Sequence, residues 1–87
     1  MYFVYVLLNP SGRIYVGQTN QLEERVRQHN DPANDISKYT KRYSGPWKLI
    51  HSERFMTRSE SMAREKALKS GKGREWIHQH LLPRASG

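Results

Sequence analysis

The sequence predicts an α+β domain (small α/β) with its elements in the order β-β-α-β-α-α, and three observations predict it. Two β-branched and aromatic runs, residues 2 to 8 and 13 to 16, flank the turn signal Asn9-Pro10-Ser11-Gly12. A helical segment, QLEERVRQHN, follows, with Leu22 and Val26 on its apolar side. Further on, WKLIHSERF reads as a third strand over residues 47 to 55, and Thr57 with Glu60 fits a capping box that opens a second helix.

The turn decides the register of the hairpin. Pro10 presets φ at the first central position, Ser11 follows, and Gly12 takes the left-handed conformation that closes a three-residue loop with a bulge. Asn9 then opposes Arg13, Leu7 opposes Tyr15 and Tyr5 opposes Gly17. Both phenols fall on one face of the ribbon as diagonal neighbours, whereas a two-residue loop would separate them. Gly17, facing Tyr5, is expected to leave open space beside the hydroxyl for a ligand or another backbone.

Thr19 or Asn20 can cap the first helix, and Asn30, Asp31 and Pro32 end it. Arg25 and His29, four apart, share a face next to the docking stripe. The segment from Asn30 to Pro46 reads as a long basic loop with Lys38, Lys41, Arg42 and two tyrosines. In the second helix, through about Lys69, Met62, Glu65 and Leu68 or Lys69 fall on one face, so a carboxylate sits where an apolar residue would fit. GKGREWIHQHLL reads as a glycine break followed by a short helix carrying Trp76, Ile77 and Leu81.

At 87 residues this is one domain, 1–87, near the lower size limit for folding without staples. Cysteine is absent, which excludes disulfides and thiolate metal sites and suits a reducing compartment, the cytoplasm. The apolar run YFVYVLL is too short for a membrane span and unlike a signal peptide, so no membrane partner is expected. Fifteen Lys and Arg against eight Asp and Glu give a net charge of +7, the electrostatic footprint of a chain that approaches phosphates.

Single residues leave bland alternatives open. Strand tyrosines often fill a core edge; Arg25, beside Glu23 and Glu24, suits a solvated helix face; His29 suits a helix C-terminal cation; and Glu65 suits a surface partner of Arg58, Lys66 or Lys69. Taken together, FVY at 3 to 5, YVG at 15 to 17, GQTNQLEERVRQH with Arg25 and His29, and MAREKALK with Glu65 resemble the GIY-YIG nuclease superfamily, in particular its small stand-alone bacterial members. The resemblance covers most of the chain. It implies a three-stranded antiparallel sheet flanked by helices and a metal-dependent phosphodiesterase using Mg²⁺ or Mn²⁺. On it, Tyr5 and Tyr15 match the two motif tyrosines, Arg25 the phosphate-contacting arginine, His29 a histidine found in part of the superfamily, and Glu65 the metal-ligating carboxylate. Phe3 replaces the first motif glycine, and no Asn follows Asn34 although many members carry a late active-site asparagine. Lys69, Lys72 or Arg74 is expected to serve the phosphate instead.

Hydrolysis of a phosphodiester needs an activated water, positive charge on the non-bridging oxygens and a stabilised leaving oxygen. The expected base is Tyr5, its phenol acidified by surrounding cations, with Tyr15 as positioner and His29 as competitor for the base role. The sequence therefore predicts an endonuclease acting on DNA, in branched, nicked or single-stranded form, with RNA as the other candidate substrate. A non-catalytic nucleic-acid-binding module on the same fold is the alternative, and a basic ribosome-associated protein the third reading. Oligomeric state is not written in the sequence.

Overall fold

The computed structural model describes residues 1–31 and 45–82. Within them the chain forms β1 (Tyr2–Leu8), β2 (Ile14–Thr19), α1 (Leu22–Asn30), β3 (Lys48–Phe55), α2 (Arg58–Lys69) and α3 (Gly71–His80). The expected α+β order is met. The strands form one antiparallel sheet in the order β2-β1-β3, so β1 is central. No helix among the described residues is long and apolar enough to cross a membrane.

The hairpin closes as its turn residues demand. Gly12 has φ +85, the Asn9 amide donates to the Arg13 carbonyl at 3.0 Å, and the Gly12 amide donates to the Asn9 carbonyl at 3.1 Å. The buried Asn9 side chain adds a lock, its Oδ1 accepting from the amides of Ser11 (3.1 Å) and Arg13 (2.8 Å). The resulting pairs are Leu7 with Tyr15 and Tyr5 with Gly17, as expected. β2 runs on through Gln18 and Thr19, beyond the apolar run that announced it. Between β1 and β3 the register slips at Val6/Leu7, where Val6 faces His51 and Leu7 faces Leu49.

Val4, Tyr5, Val6 and Leu7 are all buried because β1 is covered on both faces. Val4, Val6 and Val16 pack under Leu68 of α2 and Ile77 of α3. Tyr5, Leu7 and Trp47 pack on the other face, with Leu22 and Val26 of α1 against them. Asn30 fastens the end of α1 to the start of β3: its amide donates to the Trp47 carbonyl at 2.9 Å, and its Oδ1 accepts from the Trp47 amide at 2.6 Å.

Three local expectations are corrected. The N-cap of α1 is Gln21; Thr19 Oγ1 accepts from the Gln21 amide at 3.0 Å, which forms a turn before the helix, and Asn20 stays exposed. In α2 the inward residues are Ser61 and Leu68, while Met62 is half exposed (50 %). Gly71 and Gly73 do not break the chain's helical path for long. Ser70 caps α3, accepting from the Gly73 amide at 3.1 Å, and both glycines lie in its first turn. A β-carbon on Gly73 would collide with the Ala67 carbonyl oxygen and with Leu68 Cα, so the glycine permits α3 to cross tightly behind α2. The Thr57–Glu60 capping box forms as expected, with Thr57 Oγ1 accepting from the Glu60 amide at 3.2 Å.

Candidate active site

On the α1 side of the sheet, three rings from three elements meet. Tyr5 (β1) and Tyr15 (β2) have centroids 6.1 Å apart, Tyr5 and His29 5.7 Å, and Tyr15 and His29 4.8 Å. The hairpin register puts the two phenols on one face, and the period of α1 carries His29 to them one turn beyond Arg25 and Val26. His29 is 3 % exposed, and its Nε2 lies 2.8 Å from the Tyr5 hydroxyl. That contact, buried between α1 and the sheet, is not the setting of the helix-end cation that was the bland alternative for His29.

Gly17 has a different purpose from the one expected. A β-carbon there would lie 2.5 Å from the Tyr5 hydroxyl oxygen and 2.6 Å from its Cζ, so the phenol itself fills the space above the glycine. Without Gly17 the Tyr5 ring could not lean across β2 toward His29 and Tyr15.

The enclosure sets the acidity of Tyr5. Burial pushes its phenol well above the ordinary range; the neighbouring Tyr15, also hydrogen-bonded to it, and the Glu65 carboxylate push the same way, while Arg25 pulls it down. Acidification by nearby cations, expected from the sequence, is thus outweighed. Tyr5 is therefore a neutral hydroxyl at ordinary pH, hydrogen-bonded to His29.

Arg25 lines a polar cleft with Tyr2, Gln18, Thr19, Asn20 and Arg58. Glu24, the acidic residue just before Arg25 in the chain, pairs with Arg27 at 2.6 Å. Tyr15, half buried, lines a second cleft with Ile14, Val16, Leu68, Lys69 and Arg74. Lys69 and Arg74 thus border the same cleft as Tyr15, which Lys72 does not line; all three are exposed. Lys38, Lys41 and Arg42 lie outside the described residues. Arg58 and Gln18 are functional candidates the sequence reading missed; the Arg58 signal was its place on the same helical stripe as Glu65.

Glu65 sits on α2 with its side chain 23 % exposed, and Lys69 Nζ approaches its Oε2 at 3.3 Å. This is a partly exposed one-turn pair worth on the order of 0.5 kcal/mol, which a divalent cation can displace. Among the described residues no three His, Cys, Asp or Glu side chains cluster as a metal cage. A lone carboxylate fits a hard ion such as Mg²⁺ or Mn²⁺, which retains water ligands and accepts substrate phosphate oxygens.

A family model described as the GIY-YIG catalytic domain matches residues 1–78. The chain belongs to the GIY-YIG family. It is 41% identical over 69 residues to a UPF0213 protein of Haloquadratum walsbyi, covering 79% of this chain and 74% of the relative. A UPF0213 protein of Clostridium perfringens is 39% identical over 69 residues, covering 79% and 71%. The solution NMR structure of a UPF0213 protein from Bacillus halodurans superposes with a TM-score of 0.53 at 29% identity, covering 91% of this chain and 84% of that one. A GIY-YIG domain is a nuclease-type fold, and the Tyr5, Tyr15 and Glu65 arrangement lies wholly within the matched residues.

Proposed function

We propose that this GIY-YIG domain is a divalent-metal-dependent endonuclease that hydrolyses phosphodiester bonds in DNA, in branched, nicked or single-stranded form. The observation that carries the proposal is the Tyr5–His29 hydrogen bond at 2.8 Å inside the three-ring cluster, with Tyr15 linking that pair to an open basic cleft. A nucleic-acid-binding surface alone has no need of a buried phenol–imidazole pair coupled to a carboxylate.

In this mechanism Tyr15 meets the substrate, since it is the cluster member that lines the cleft, and Tyr5 relays. As the attacking water loses its proton, the phenols pass one along and His29 Nε2 receives the Tyr5 proton, so no free phenolate has to form. Arg25, Lys69 and Arg74 set positive charge against the phosphate oxygens. Glu65 would hold the Mg²⁺ or Mn²⁺ ion, which when bound polarises the phosphate and acidifies water.

The Glu65–Lys69 pair favours a second reading, in which the carboxylate is neutralised and the chain binds DNA without cutting it. Incubation of supercoiled plasmid, flap and single-stranded DNA with Mg²⁺, Mn²⁺ or EDTA separates the two. Cleavage with metal and none in EDTA is expected; binding without cleavage under every condition would establish the second reading.

A further inference from the structure

The polar cleft at the far end of β2 is lined by two arginines. Arg25 comes from α1 and Arg58 from α2, and Gln18, Thr19 and Asn20 line the same cleft. Among the described residues, neither arginine forms an ion pair with a carboxylate. Like charges lining one cleft repel each other, a cost that an anion bound there reverses. Guanidinium groups match phosphate oxygens with forked hydrogen bonds.

The position of α2 gives the cleft its meaning. Ser61 Oγ reaches Gln18 Oε1 at 3.3 Å near one end of β2, while Leu68 and Lys69 border Ile14, Tyr15 and Val16 near the other. The helix thus runs antiparallel to β2 along its length. At 100° per residue, Arg58, Ser61, Glu65 and Lys69 fall within about 80° of one another, on one stripe. Arg58 stands about 10 Å along the axis from Glu65 on one side, and Lys69 about 6 Å on the other. The order along the stripe is cation, carboxylate, cation.

Resting on the proposed nuclease reading, we infer that Arg58 forms a subsite for a backbone phosphate flanking the cleaved one that Arg25 meets, on the opposite side of Glu65 from Lys69 and Arg74. The substrate strand then follows β2, with Arg58 gripping it upstream or downstream of the chemistry but not at it. Its contribution is to binding, equal before and during bond cleavage.

The test compares Arg58→Gln, Arg58→Lys and Lys66→Gln with the unaltered chain; Lys66 is an exposed α2 lysine off the stripe. Binding to a single-stranded oligonucleotide in EDTA is followed by anisotropy across salt concentrations, and cleavage kinetics are measured with Mg²⁺. Arg58→Gln is expected to reduce the log–log salt slope by about 0.7, the value of one single-strand phosphate contact, and to raise KM with kcat unchanged. Arg58→Lys should retain most of the slope, and Lys66→Gln should match the unaltered chain. If the unaltered chain binds and cleaves while Arg58→Gln behaves like Lys66→Gln, the subsite is overturned and the nuclease reading stands. A fall in kcat at constant KM also overturns it, by moving Arg58 to the cleaved phosphate. An unaltered chain that neither binds nor cleaves nucleic acid overturns both.

Discussion

His29 Nε2 and the Tyr5 hydroxyl, separated by 24 residues of chain, stand 2.8 Å apart in the interior between α1 and the sheet. This one contact joins the helix to the central strand and couples the acid–base state of two candidate catalytic groups. Tyr5→Phe and His29→Ala should each cut the cleavage step by on the order of 10²-fold, and the double variant should lose little more, because a relay fails when either link is removed. Binding in EDTA should barely change. Single-turnover cleavage alongside anisotropy checks both; fully additive losses would contradict the relay.

Because burial raises the Tyr5 phenol, the folded chain favours its neutral form over the unfolded chain, whose phenol titrates near 10. Stability from this residue is fully present below that value and falls as pH rises past it. Thermal melts between pH 8 and 11 should show a decline above about pH 10 that Tyr5→Phe blunts.

Glu53 has the opposite sign. Burial pushes its carboxyl up, but hydrogen bonds from Arg64, at 2.9 and 3.1 Å, and from His51, at 2.7 Å, outweigh burial and hold it below the usual range. Its contribution is present above the ordinary carboxylate pKa of about 4.3 and is lost as pH falls through the depressed value. Glu53→Gln should destabilise the chain at pH 7 and flatten its acid limb, as read by melting temperature from pH 2 to 7.

Gly17→Ala places a methyl where the Tyr5 phenol lies. The ring has to move, at a cost of about 1–3 kcal/mol, and the His29 contact goes with it. Urea denaturation gives the stability loss; cleavage should fall as far as in Tyr5→Phe.

Glu65→Gln should abolish cleavage while leaving DNA affinity in EDTA equal or tighter, since a negative charge facing phosphates has gone. Cleavage assays paired with anisotropy report both, and retained turnover would refute the metal-holding role.

Local chemistry was legible in the sequence where a few neighbours decide the outcome. Pro10 and Gly12 specify their turn, the turn specifies the register, and the register brings Tyr5 and Tyr15 to one face. Thr57 and Glu60 specify a helix start in the same way. Tertiary contacts were not legible. Gly73 looked like a helix breaker because the Ala67 carbonyl it must clear belongs to another helix, and Gly17 looked like a vacancy because the ring that fills it comes from another strand. Likewise, the acidity of Tyr5 depends on burial by α1, which outweighs the cations that the sequence displays.

The Asn30 side chain, which matches both the amide and the carbonyl of Trp47, ties together the two ends of the stretch between α1 and β3. Those two hydrogen bonds hold the end of α1 beside the start of β3. Doubling the length of that stretch adds only about 0.6 kcal/mol of closure entropy. Lengthening, shortening or replacing that stretch should therefore leave the Asn30–Trp47 junction, and with it the end of α1 that carries His29, where they are.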